Sequence, residues 1–237
     1  MICDTPNCLF VHIPKTAGQS VEQVFLDLNH LSWAESERSQ LLLRPNNDPT
    51  KGPPRLAHLL AREYLSYGYV GSEEFSQKYK FSFVRNPWDR LVSEYLYAHR
   101  SLYDFREFLL HRFPVPEADN YDSCADGYRH VVEQYDFLYD QQGNCLVDFV
   151  GRFENLQSDF NKISQALSLE PIPLKKQNTF EQNVTNFAIQ QGQVKPGQSV
   201  KINKPHYSAF YDEETQAFVA ARYARDIAHF GYCFEQR

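Results

Sequence analysis

Apolar positions along the chain fall into two alternating signatures. Leu9, Phe10, Val11, His12 and Ile13 form a short β-favouring run that Pro14 ends, the pattern of a buried strand. After it, Val21, Val24, Phe25 and Leu28 recur at helical spacing, with Ser20 as the predicted cap. Residues 1–29 therefore predict strand, tight loop over 14–18, then helix. The same unit returns at residues 80–99: Lys80-Phe81-Ser82-Phe83-Val84 as strand, Arg85-Asn86-Pro87 as loop, and a helix from Trp88 to His99. Its apolar stripe is Trp88, Leu91, Val92, Tyr95 and Leu96.

Between these units residues 29–54 are polar, include Arg44-Pro45-Asn46-Asn47-Asp48-Pro49, and predict an irregular surface excursion; residues 56–64 predict a helix. Downstream the pattern predicts a helix over 105–113, a long loop over 114–127, and a hairpin. In that hairpin Phe137-Leu138-Tyr139 and residues 146–150 flank a turn at 141–144. A helix follows over 155–167, then a polar stretch over 170–205 and a final helix over 212–230. No internal repeat is visible. Strands alternating with helices specify an α/β fold with a central, mainly parallel sheet flanked by helices, read here as a single domain over residues 1–237. In such sheets ligands lie beyond the carboxyl ends of the strands, so the loops after Ile13 and Val84 are where chemistry is expected.

Composition narrows the classes. The 237 residues are 42% hydrophobic, 23% charged and 15% aromatic, which fits a globular core and excludes collagen-like, coiled-coil and low-complexity chains. With 24 Lys+Arg against 30 Asp+Glu the net charge is −6, so a broad nucleic-acid or anionic-membrane face is not expected. No window approaches the roughly 18 consecutive apolar residues of a membrane span, and the first residues do not read as a signal peptide. The five cysteines (Cys3, Cys8, Cys124, Cys145, Cys233) are scattered without zinc-site spacing, so reduced thiols and a cytoplasmic location are expected, and no metal.

Two loops carry unusual residues. In Pro14-Lys15-Thr16-Ala17-Gly18-Gln19-Ser20 a strand-to-helix turn presents backbone N–H groups, Gly18 permits close approach of an oxyanion, Lys15 adds a full charge, and Thr16 and Ser20 add hydroxyls. The plainer alternative is a lysine-bearing turn with a capping serine. The glycine-rich pattern of nucleotide triphosphatases is missing, since this lysine precedes the glycine. In the second loop, Arg85 closes a buried strand, where a guanidinium is costly unless it meets an anion. Ser93 sits eight residues on, and the pair suits a phosphate monoester. The alternative partner for Arg85 is a carboxylate such as Asp89 or Glu154. Arg90 reads as a packing or surface arginine and Trp88 as core.

His12-Ile13-Pro14-Lys15-Thr16-Ala17-Gly18 followed by Ser20 resembles the 5′-phosphosulfate loop of sulfotransferases, and Val84-Arg85-Asn86-Pro87 with Ser93 resembles their 3′-phosphate element. The likeness is to the carbohydrate-type family that includes the heparan sulfate 2-O- and 6-O-sulfotransferases and small bacterial members. It extends through Gly151-Arg152-Phe153-Glu154-Asn155-Leu156 and the 211–232 segment. What it implies is a P-loop-like three-layer fold and the donor 3′-phosphoadenosine 5′-phosphosulfate (PAPS, giving PAP). Lys15, Thr16, Ala17, Gly18, Gln19, Ser20, Arg85, Ser93 and the late-loop Lys204, in a segment with Lys201, would bind it. Gln19 departs from the Thr or Ser common at that position, offering an amide N–H in place of a hydroxyl.

The implied reaction is sulfuryl transfer to a hydroxyl of a small-molecule, saccharide or glycan-like acceptor. Lys15 would stabilise developing charge, and a histidine would serve as base because it titrates near neutrality. Among eight histidines the resemblance favours His58, on the segment between the two phosphate elements, with Glu63 a possible orienting group. His12 is expected to be structural, and His99, His111, His130, His206 and His229 are assigned no role. Two other readings stand beside this one. A P-loop-like kinase would need a Mg²⁺-holding acid beside its lysine, which the sequence does not show. A non-catalytic nucleotide or anion-binding module would keep both loops and lack the base.

Overall fold

The computed structural model describes residues 1–175 and 205–235, together with residues 181, 185, 189, 195 and 198 individually. A four-stranded sheet lies at the centre, in the order β1 (Ile2–Cys3), β2 (Cys8–Val11), β3 (Tyr79–Val84), β6 (Phe149–Arg152). The first pair is antiparallel; β2, β3 and β6 run parallel, with Phe10 opposite Phe81 and Phe83 opposite Gly151. A separate two-stranded ladder, β4 (Asp119–Asn120) with β5 (Ala125–Asp126), stands inside the predicted 114–127 loop.

Strand alternation sorts the core onto the two sheet faces, both apolar as expected for a covered parallel sheet. Leu9, Val11 and Ile13 pack on one face with Leu56, Leu59, Tyr64, Phe137 and Leu138. Phe10, Phe81 and Phe83 pack on the other with Phe25 of helix α1 (Gly18–Leu28) and Phe160 and Ile163 of the helix Leu156–Ala166. A third cluster joins the helix Pro87–Glu94 to Phe105–His111 and Glu213–Arg222 through Trp88, Leu91, Phe108, Val219 and Tyr223. Helices on both sides of a mostly parallel sheet give the three-layer α/β arrangement expected.

Several element boundaries differ from expectation for local reasons. Ser20 is not the cap of α1: the preceding residue is Ala17 in the left-handed region, no side chain caps the helix, and Ser20 lies inside it. The predicted 56–64 helix breaks at Leu59 and Leu60, both extended, so that both leucines reach the sheet core; a 3₁₀ turn Leu56–His58 precedes the break and helix Ala61–Ser66 follows. Phe137 and Leu138 end a helix (Gln134–Leu138) where a strand is expected. The distant Asp226 carboxylate accepts from the backbone N–H groups of Gln134 and Tyr135, capping from another part of the chain, a tertiary signal that local pattern lacks. The turn itself holds, closed by a bridge between Tyr139 and Cys145. The final helix splits into Glu213–Arg222 and Ala224–Phe230 around Tyr223, whose hydroxyl reaches the Val131 carbonyl at 2.6 Å.

Candidate active site

The loop after β2 has the backbone shape of an anion cradle. Lys15 and Ala17 both hold positive φ (70° and 69°), a conformation that costs non-glycine residues roughly 1–3 kcal/mol and is tolerated where surroundings over-determine it. Left-handed residues alternating with right-handed ones curl successive N–H groups toward a common centre, the geometry of an anion nest. Gly18 opens α1 there and its lack of a side chain is required. A Cβ at that position would sit 1.9 Å from Nε2 of His12, whose ring lies against the glycine. Thr16 is fully buried and its hydroxyl donates to the Ile13 carbonyl at 2.8 Å, so it braces the loop from within. Ser20 is buried and Gln19 exposed. Lys15 Nζ lies 3.8 Å from the centre of the Tyr97 ring. Tyr97 is presented by a widened π turn, Tyr95–His99, that continues the Pro87–Glu94 helix.

Arg85, at the end of β3, is joined to that cradle. Its Nη1 donates to the Lys15 carbonyl at 2.9 Å, while Nε and Nη2 donate to Asp89 at 2.9 and 2.6 Å. The guanidinium is buried and stacks on the Phe153 ring at 3.9 Å. The carboxylate alternative from the sequence is thus the pairing found here, with Asp89. Glu154 instead accepts from the Asn86 backbone N–H at 2.8 Å. Gln134 clasps the Arg85 backbone on both sides, accepting from its N–H and donating to its carbonyl, each at 2.8 Å. Ser93 is half-buried on the helix that starts two residues after Arg85. Lys204 and Lys201 lie outside the described residues.

His58 stands beside the cradle in a buried row of imidazoles and carboxylates. Its Nδ1 is 2.5 Å from Oδ2 of Asp126, and its ring packs edge-on against His12 at 4.7 Å and His130 at 5.1 Å between centroids. His12 Nδ1 in turn meets Glu22 at 2.6 Å, and His130 lies between Glu94 (2.8 Å from Nδ1) and Asp126 (3.4 Å from Nε2). Burial pushes the His58 imidazole down to about 4 despite Asp126, so it stays neutral. Burial also opposes charge on His130, yet Glu94 and Asp126 on either side outweigh it and raise His130 to about 9. Burial raises the Asp126, Glu94 and Glu22 carboxyls, and the adjacent histidines overcome it, holding all three below the usual range.

Glu63 is not the orienting group. Its carboxylate binds the Arg129 guanidinium at 3.1 Å and caps the Leu60 N–H at 2.8 Å, and Asp126 takes the place beside His58. Asp126, His130, Glu94 and Glu22 carried no sequence signal, because loop spacing does not show which acids fold beneath a histidine. His58, Asp126 and His130 also bring possible ligand atoms within 4.8 Å of one another, a grouping that residue spacing concealed. His58 Nδ1 and Asp126 Oδ2 are already engaged with each other in the 2.5 Å contact. Of the two readings of Arg90, packing or surface, packing is the one found: 1% exposed, it donates to the carbonyls of Pro14, Val132 and His130 at 2.9–3.0 Å. Trp88 is core.

No helix among the described residues is long and apolar enough to cross a membrane. No solved structure matches the chain. It is 32% identical over 106 residues to an uncharacterized protein of Archaeoglobus fulgidus, a stretch covering 42% of this chain and 76% of that one. The sequence model described as "Sulfotransferase family" matches residues 1–233, taking in the cradle, Arg85, the histidine row and the late helices alike. With two loops on neighbouring parallel strands standing beside a neutral buried histidine, the chain belongs to the sulfotransferase family.

Proposed function

We propose that this chain is a single-domain sulfotransferase that moves a sulfuryl group from PAPS to a hydroxyl of a saccharide-type acceptor, with His58 as the base. The observation that carries the reading is the tie between the two loops: Arg85 Nη1 donates to the Lys15 carbonyl at 2.9 Å, so the Lys15–Ala17 turn and the Arg85 guanidinium share one end of the sheet, an arrangement suited to a single ligand with an anion at each end. The residues fit such a donor. Backbone N–H groups of residues 15–19 and the Lys15 ammonium suit its 5′ end, and Arg85 with Ser93 suits a 3′-phosphate.

When bound, the donor supplies an activated sulfuryl group on a phosphate leaving group. The chain's own residues do the rest. Neutral His58, its Nδ1–H donating to Asp126, offers Nε2 to the acceptor hydroxyl proton. The imidazolium so formed is stabilised by the Asp126 carboxylate. Lys15 and the nest hold negative charge that develops at the 5′ end, in a site arranged before the reaction begins.

Calorimetry with 3′,5′-adenosine bisphosphate against ATP tests the donor. Selective binding of the bisphosphate is expected, and tighter binding of ATP would turn the reading toward a kinase. His58→Ala tests the base: bisphosphate binding persists while transfer falls by orders of magnitude. Full transfer in that variant would remove His58 from the mechanism. Loss of nothing but binding in Lys15→Ala and Arg85→Ala, with no turnover in the parent, would favour a non-catalytic module.

A further inference from the structure

Beside the cradle lies a cavity of about 270 Å³ that no step above uses. His12 and His58 line one part of it, and Trp33, Arg38, Arg44 and Arg55 line another. We propose that this cavity is the acceptor pocket and that it selects a compact acidic acceptor, a single sugar-sized unit carrying a carboxylate or phosphate beside the reacting hydroxyl. The inference rests on the sulfotransferase reading and adds the class of substrate to it.

Charge argues first. The chain as a whole carries −6, yet this cavity is lined by three arginines against the Glu22 carboxylate, which His12 already engages at 2.6 Å. Among the described residues no ion pair engages Arg38 or Arg44. Nε of Arg38 is buried with no hydrogen-bond partner, a costly state for a guanidinium. Arg55 is oriented from behind, its Nε donating to the Cys124 carbonyl at 3.0 Å and lying 3.6 Å from Asp126. Planar forks of this kind suit carboxylate and phosphate oxygens.

Size and shape argue next. The volume falls just below the roughly 300–1,000 Å³ of clefts that take drug-sized molecules, which favours one ring over a length of polymer. Trp33 is 37% exposed while its indole N–H is pinned to Gln23 at 2.7 Å, so the ring is held in one orientation for a sugar face to lie against. His58 shares the lining, so a hydroxyl on a ring held here faces the proposed base.

The test is titration calorimetry with glucuronate, glucose 6-phosphate and glucose as probes, on the free protein and on protein loaded with 3′,5′-adenosine bisphosphate. At least one acidic probe is expected to bind about tenfold more tightly than glucose. In Arg38→Gln/Arg44→Gln that preference is lost while the bisphosphate titration is unchanged, and Arg44→Lys retains part of it. Which acidic probe binds distinguishes carboxylate from phosphate. Equal binding of the three probes, no binding of any, or an acidic preference that survives the double variant overturns the proposal. So does an unsulfated uronate polymer that binds about tenfold tighter than its monosaccharide. The bisphosphate titration reads the donor site separately, so failure of the donor reading and failure of the acidic-acceptor reading give different patterns.

Discussion

Arg85 Nη1 donates to the backbone carbonyl of Lys15 across 2.9 Å, so the loops after two neighbouring parallel strands are tied to each other before any ligand arrives. The tie also supports the strained Lys15 conformation, since the carbonyl it holds belongs to a residue with φ of 70°. In Arg85→Ala the loop loses that support and the two hydrogen bonds from the guanidinium to Asp89 are lost. Bisphosphate binding is expected to weaken by at least about tenfold, with folding stability reduced by about 1–3 kcal/mol. Calorimetry and denaturant titration read the two effects separately; unchanged binding would detach Arg85 from the donor site.

Gly18→Ala puts two effects in opposition. In an open helix the substitution stabilises by about 1 kcal/mol through propensity. Here the new Cβ would meet the His12 ring at 1.9 Å, and the ring cannot retreat without stretching its 2.6 Å contact with Glu22. Overpacking wins, and a net loss of about 1–3 kcal/mol in urea unfolding is expected. A variant more stable than the parent would show that His12 is free to move.

Asp126→Asn leaves the shape of the row intact and removes the charge beside His58 Nδ1. Transfer is expected to fall by roughly 10²–10⁴ with bisphosphate affinity kept, because an amide does not stabilise the imidazolium. Single-turnover rates with separately measured binding decide between this and a merely structural role, which would move both.

Two histidines give stability opposite slopes with pH. His130 is raised from its usual 6.5 to about 9, so the folded chain keeps a proton that the unfolded chain releases. Its contribution is complete below pH 6.5 and is lost as pH rises toward 9, by about 1 kcal/mol per pH unit. His58 is lowered from 6.5 to about 4, so below 6.5 the unfolded chain takes up a proton that the folded one refuses, and stability falls as the medium turns acid. Urea midpoints across this range should peak near neutrality. His130→Gln should flatten the alkaline limb and leave the acid limb; an unaltered alkaline limb would contradict the placement of His130 between two carboxylates.

Much of the framework was legible from the chain. The run Leu9–Ile13 and its echo at Lys80–Val84 announced two buried parallel strands, because apolar β-branched and aromatic residues on both faces leave few other solutions. Lys15 and Arg85 drew notice as charges at the ends of such strands. What stayed hidden depends on distance in the chain. Asp226 turns Phe137 helical by capping from about 90 residues away, and Asp126 reaches His58 across 68. Glu63, close to His58 in sequence, was the natural partner on spacing alone, yet the break at Leu59 and Leu60 carries it off to Arg129. Local pattern records what a residue prefers; it does not record which surface will be folded against it.

The last part of the polar excursion between α1 and the 3₁₀ turn Leu56–His58 forms a sub-loop whose neck is the bridge from Pro45 to Arg55. Asn46 braces that neck with donations to the carbonyls of Asp48, Gly52 and Pro53. Trp33, Arg38 and Arg44 belong to the same excursion, on the stretch ahead of that bridge, whereas Lys15, Arg85 and Asp126 are anchored elsewhere. Such a division makes the excursion an exchangeable cassette: a sister enzyme could acquire a new taste in acceptors by rewriting one stretch of chain, with its reactive machinery inherited whole.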